Sequence, residues 1–181
     1  MIKQILQKII HPNDYILTPE HRSCLDLLEN STQNLLLTGK AEFVKNLLDE
    51  GVPVHAIGLQ GHWNIGEPTE QNLRDAIAKF SSLGVELHIT ELDVSIYESR
   101  TDTIGMGFTP EREQKQIDLY KMAFDVFREN KKVITGVTFW NLSDRSSWRD
   151  RRGPTGARKV YPLLLDENMK PKKAFWEVVK F

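Results

Sequence analysis

Between residues 41 and 50, apolar side chains fall at Phe43, Val44, Leu47 and Leu48, a spacing that gathers them on one face of a helix. Gly51 and Pro53 follow, residue types that end helices. Residues 54–59 form a short apolar run of strand length. Thr69 stands at a capping position ahead of Leu73, Ala76, Ile77 and Phe80, with Gly84 closing the segment. The alternation then repeats. Residues 85–90 carry apolar side chains at every second position, and Thr109-Pro110 opens a long helix striped by Ile117, Tyr120, Phe124 and Phe127. Residues 133–140 are β-branched and aromatic, as a buried strand would be. Pro171 starts a last helix carrying Ala174, Phe175, Val178 and Val179. Strand and helix in turn predict parallel α/β units.

The first part of the chain is less regular. Helices are expected over residues 2–10 and 21–28, and Leu35-Leu36-Leu37 is too short to assign. The expected organisation is an irregular, helical segment at residues 1–39 and an ordered α/β region at 40–181. An open, doubly wound sheet would carry a Gly-rich phosphate turn after a strand, and this sequence has none. A closed (β/α)₈ barrel typically takes about 250 residues. Three to four β/α units in 181 residues are too few for a complete barrel, so a partial (β/α)₈ barrel is the expected fold.

Composition narrows the function classes. With 24 Lys+Arg against 25 Asp+Glu, the net charge of −1 removes nucleic acid and anionic membrane surfaces as default partners. Apolar residues at 40% and charged residues at 27% describe an ordinary globular chain. A single cysteine, Cys24, forms neither an internal disulfide nor a metal site. No apolar run approaches the roughly 20 residues of a membrane span. The N-terminal isoleucines are interrupted by Lys3 and Lys8 with no cleavage site behind them, which reads as a helix and not a signal peptide.

Parallel α/β folds gather their chemistry past the C-terminal ends of the strands. Here the first strand leads into Gln60-Gly61-His62-Trp63 and the second into Thr90-Glu91-Leu92-Asp93. The third leads into Phe139-Trp140-Asn141, with Asp144 and Trp148 close behind. Carboxylates, an imidazole and indoles on three strand ends suit a polar site with flat walls, on which the C–H faces of sugar rings can stack. Each residue alone has a plainer reading. A strand-end carboxylate is usually a solvated loop group, and His62 a structural hydrogen-bonding group. The tryptophans could be core anchors, Trp176 foremost. The basic stretch at residues 145–159 reads as a solvated loop, from which Arg145 could face the site.

Taken together, Gly58-Leu59-Gln60-Gly61-His62-Trp63, Leu87-His88-Ile89-Thr90-Glu91-Leu92-Asp93, and Val137-Thr138-Phe139-Trp140 with Ser147-Trp148 resemble the C-terminal half of a family 10 glycoside hydrolase. The tail, Pro162-Leu163-Leu164-Leu165-Asp166-Glu167-Asn168 with Pro171-Lys172 and Phe175-Trp176, fits as well. The resemblance spans about residues 40–181, with several motifs in the right order and spacing. It implies the last three to four β/α units of an endo-1,4-β-xylanase barrel, acting on xylan or xylo-oligosaccharides. It further implies Glu91 as the nucleophile of a retaining mechanism, His62 bonded to that nucleophile, and Asp93 orienting His62. Gln60 would contact sugar hydroxyls, and Trp140 and Trp148 would wall the subsite at the cleavage point. No metal or organic cofactor is implied, since two carboxyl groups suffice for the chemistry. Members of this family are usually secreted.

One part of the family pattern has no counterpart. The acid/base Glu of the family ends a Trp-x-x-x-Asn-Glu sequence, which does not occur here. Asn13-Asp14-Tyr15 resembles the family's fifth-strand end only in part. Two other readings therefore stand beside that of an active xylanase. One is a carbohydrate-binding remnant without turnover. The other is a half-barrel subunit that works only with a partner chain or by self-association, because a cut barrel exposes sheet edges and a face.

Overall fold

The computed structural model describes residues 33–99, 107–153 and 156–180. The helices expected over residues 2–10 and 21–28, and Asn13-Asp14-Tyr15, lie outside the described residues. The chain divides into two units, Met1–Val52 and Pro53–Phe181. In the first, helix α1 runs over Gln33–Asp49, starting earlier than the apolar spacing indicated and absorbing the short leucine run. It ends as its sequence requires. Gly51 takes a left-handed φ of 76°, open to glycine without a Cβ penalty. Its N–H donates to the Leu48 carbonyl at 2.9 Å and that of Val52 to Leu47 at 2.9 Å, closing a Schellman motif.

The second unit alternates strand and helix: β1 (Ala56–Asn64), α2 (Glu70–Ser81), β2 (Glu86–Ser95), α3 (Pro110–Glu129) and β3 (Ile134–Phe139). The strands lie in the order β1-β2-β3, and both pairings are parallel. Thr69 and Thr109 cap α2 and α3, their hydroxyls accepting from Asn72 N–H at 3.2 Å and Arg112 N–H at 3.3 Å. After β3 a small antiparallel hairpin, β4 (Arg151–Gly153) with β5 (Gly156–Arg158), replaces part of the expected solvated loop. A short α4 (Lys173–Val178) completes the unit.

One face of the sheet is covered by helices. Leu87, Ile89 and Leu92 of β2 are buried with Leu73, Ile77 and Phe80 of α2 and Tyr120, Ala123, Val126 and Phe127 of α3. Each large apolar side chain so buried contributes roughly 1.5–3 kcal/mol. The rings of Phe124 and Phe139 stack 6.2 Å apart within the same layer. Ala56, Gly58 and Gln60 of β1 stay exposed, as do Glu86, His88 and Thr135 on the neighbouring strands. The Thr135 hydroxyl donates to Glu86 at 3.2 Å.

Two expectations change. β1 and β2 run through the polar motifs instead of stopping before them, so Gln60, His62, Glu91 and Asp93 are strand residues. Polar side chains end an apolar run in the sequence, but they do not end a strand whose backbone pairing continues past them. Trp176, expected as a core anchor, is 57% exposed. Ala174 and Val178, one helical turn apart, form the buried face of α4, and Trp176 points about 200° away from Ala174.

Candidate active site

The strand geometry around residue 91 builds the site. Leu87 and Ile89 point toward the helices, and strict alternation would send residue 91 after them. The β1–β2 register instead pairs Gln60 with Thr90 and His62 with Asp93, so β2 carries one extra residue there. Leu92 takes the helix-facing position, fully buried, while Glu91 sits at the bulge with a φ of 55°. A left-handed conformation at a residue with a side chain stores strain, which persists where surrounding contacts hold it. Trp140 N–H holds part of it, donating to the Leu92 carbonyl at 3.2 Å. Gly61 makes room: a Cβ there would lie 2.8 Å from Leu92 Cδ1 and 3.2 Å from its Cα.

The bulge leaves both carboxylates on one imidazole. His62 Nε2 lies 2.8 Å from Glu91 Oε2, and His62 Nδ1 lies 3.1 Å from Asp93 Oδ2. Gln60 Nε2 donates to the other Glu91 oxygen at 2.9 Å. Ionised carboxylates only accept, so the two bonds are both well made when the ring carries two protons. Burial pulls the His62 pKa down, but the hydrogen bonds and charges of Asp93, and after them those of Glu91, outweigh it. The net shift is upward from 6.5.

Asp93 is 1% exposed and fully engaged. Besides His62 it accepts from Trp148 Nε1 at 2.8 Å and from Arg149 Nη1 at 2.9 Å. Both carboxyl oxygens of Asp93 are thus taken up by protein partners. Trp140 and Trp148 are 48% and 52% exposed and flank the imidazole with ring centroids 5.8 and 4.7 Å away. The structure therefore brings together all six residues singled out in the sequence: Gln60, His62, Glu91, Asp93, Trp140 and Trp148.

Sequence reasoning missed Arg149. Arg145, read with its stretch as part of a solvated loop, donates from Nε to the Glu167 carbonyl at 3.0 Å on the exposed side of that loop. Arg149 instead joins Asp93, the Trp63 carbonyl at 2.5 Å and Asn64 Oδ1 at 2.8 Å. Nothing in a charge-rich stretch marks which arginine meets a buried carboxylate; adjacency to Trp148 was the single available signal.

Fold and site define a class: a parallel α/β chain with a carboxylate held by an imidazole between exposed indoles, at its strand ends. The sequence profile of Glycosyl hydrolase family 10 matches residues 28–181, and the chain belongs to that family. It is 48% identical over 141 residues to a β-1,4-xylanase of Dictyoglomus thermophilum, covering 77% of this chain and 40% of the relative. An endo-1,4-β-xylanase of Geobacillus stearothermophilus is 45% identical over 139 residues, covering 75% and 41%. The crystal structure of an endo-1,4-β-xylanase from Caldicellulosiruptor owensensis superposes with a TM-score of 0.74 at 42% identity, covering 81% of this chain and 45% of that one. The chain thus spans about 40% of the length of these curated relatives. Its fold is part of the family's (β/α)₈ barrel.

Proposed function

We propose that this chain supplies the nucleophile side of a retaining endo-1,4-β-xylanase site, acting on xylan or xylo-oligosaccharides. Glu91 is the nucleophile. Its carboxylate attacks the anomeric carbon, the glycosidic C–O bond breaks, and the sugar becomes esterified to Glu91; water then releases it with retained configuration. His62 and Gln60 hold the two Glu91 oxygens, and Asp93 orients His62. Trp140 and Trp148 stack on the sugar, with Gln60 in reach of its hydroxyls. The observation that carries this reading is the continuous set of hydrogen bonds Gln60–Glu91–His62–Asp93 between exposed indoles.

The Trp-x-x-x-Asn-Glu sequence that carries the family's acid/base Glu does not occur here, and we read the group that protonates the leaving oxygen as one a partner half-barrel would supply. Two observations support association with a complementary half: the uncovered sheet face at Glu86, His88 and Thr135, and the outer edges of β1 and β3, unpaired among the described residues. A compact, highly stable monomer in light scattering would count against it.

The test is hydrolysis of an aryl β-xylobioside with an activated phenolate, the chain beside Glu91→Ala. A good leaving group needs little protonation, so the absent acid does not mask a working nucleophile. Phenolate release that disappears in Glu91→Ala is the expected result. A xylo-oligosaccharide titration showing binding with no release from either protein would favour the carbohydrate-binding remnant instead.

A further inference from the structure

Arg149 is bonded on three sides. Its guanidinium donates to Asp93 Oδ1, to the Trp63 carbonyl and to Asn64 Oδ1, and its side chain is 11% exposed. The two oxygens of Asp93 have separate partners: Oδ1 takes Arg149, and Oδ2 takes both the Trp148 indole and His62 Nδ1. A carboxylate with one oxygen free could rotate about its own axis and offer Oδ2 elsewhere. Here the rotation is blocked by a planar group that is itself fixed to the backbone and side chain at the end of β1.

We propose that Arg149 is a positioning residue for Glu91, acting through Asp93 and His62. This rests on the reading of Glu91 as the nucleophile. The chain Arg149–Asp93–His62–Glu91 has its buried end at the guanidinium and its open end at the strand tips. Two effects pass along it. The first is orientation: with Oδ1 anchored, Oδ2 lies where His62 Nδ1 needs it, and the ring then presents Nε2 to Glu91. The second is charge. Among the described residues, Glu91 and Asp93 from β2 bond the His62 ring and Arg149 from the loop after β3 bonds Asp93, while Gln60, Trp140 and Trp148 close by are neutral. The guanidinium pairs with the buried Asp93 carboxylate and offsets part of the negative charge that His62 meets. Lysine would replace the charge but not the planar fork that reaches three acceptors.

The experiment is a ¹⁵N NMR titration of the His62 ring in the full chain, in Arg149→Met and in Arg149→Lys, with aryl β-xylobioside turnover measured on the same samples. In Arg149→Met, His62 is expected to hold its proton to a pH roughly half a unit to one unit higher, because Asp93 loses its counter-charge. Phenolate release is expected to fall by up to about 10²-fold, the size of effect that a misplaced reacting group produces. Arg149→Lys is expected to restore the titration but only part of the rate. An unchanged His62 titration in Arg149→Met, with the amide spectrum of α2 and α3 retained, overturns the proposal. So does a titration that falls back to the ordinary histidine value, since that is what a mere tether for the Trp148 loop would produce on being cut. If the unsubstituted chain releases no phenolate, it is the reading of Glu91 that fails, and the His62 titration still decides whether Arg149 sets the imidazole.

Discussion

The loop after β3 contributes to two buried ion pairs, and they end in different places. Asp144 is 2% exposed and meets Lys172 at 2.9 Å. Its other oxygen accepts from Leu163 N–H at 2.8 Å, and Lys172 also donates to the Tyr161 carbonyl at 2.8 Å. Every further bond from this pair closes on backbone, pinning the loop to the C-terminal segment. Asp93 with Arg149 is as deeply buried, but its second oxygen leads to His62 and so to Glu91, whose side chain is 24% exposed. The same chemistry fastens the fold in one case and holds an imidazole against a strand-end carboxylate in the other. What distinguishes them is whether the hydrogen bonds terminate on amides or on a half-buried carboxylate.

Burial raises the pKa of Asp144, which Lys172 only partly offsets, and burial lowers that of Lys172, which Asp144 only partly offsets. Both groups are pushed toward neutrality, so desolvation outweighs their mutual attraction. Such a pair specifies an arrangement more than it stabilises one. Lys172→Met strands the Asp144 charge and is expected to cost about 3–5 kcal/mol, read as a lower urea midpoint. Adding Asp144→Leu should recover much of that loss, though not all, because Leu163 N–H and Tyr161 C=O stay without their side-chain partners. The His62 titration should not move in Lys172→Met. If it does, the two networks are one.

The next effect in size is expected at the bulge. Gly61→Ala brings a methyl group against Leu92 and is expected to cost about 1–3 kcal/mol, the range for overpacking. Because Leu92 follows Glu91, phenolate release should fall by more than the loss of folded protein explains. A variant that loses stability but keeps the activity of its folded fraction would separate the bulge from the site.

A smaller effect follows from His62. Its pKa is raised in the folded chain, so its contribution to stability is complete below pH 6.5 and is lost as pH rises through the raised value. Denaturant midpoints measured across that window should decline more steeply for the unsubstituted chain than for His62→Asn. Smallest of all is the exposed Arg74, paired with Glu70 at 2.8 Å and Glu129 at 2.6 Å across α2 and α3. Arg74→Ala should leave the urea midpoint unchanged within error, since solvent screens such pairs. A large loss there would mean that ion pairs in this chain cannot be ranked by burial.

The alternation of strands and helices could be read from spacing alone because buried faces demand apolar residues at fixed periods. The residues at the strand ends could be read because polar and aromatic types there serve no core. What could not be read was the phase change at Glu91: one extra residue in β2 leaves the composition unchanged, and its trace is in pairing, not in sequence. Trp176 misled because a large aromatic counts as core by type, whereas its exposure is decided by the angle it subtends on a short helix. Arg149 was invisible for a related reason, since its partner lies more than fifty positions away and the residues around it are charged as well.

The central claim is that the strand ends of this chain already hold a competent nucleophile. A 2-deoxy-2-fluoro aryl β-xylobioside with an activated leaving group tests it directly. The fluorine slows both steps through an oxocarbenium-like transition state, and the leaving group keeps the first step running, so the esterified intermediate accumulates. Intact mass followed by peptide mapping is predicted to find one fluoroglycosyl group per chain, on Glu91. No adduct, or an adduct on another carboxylate, would contradict the account.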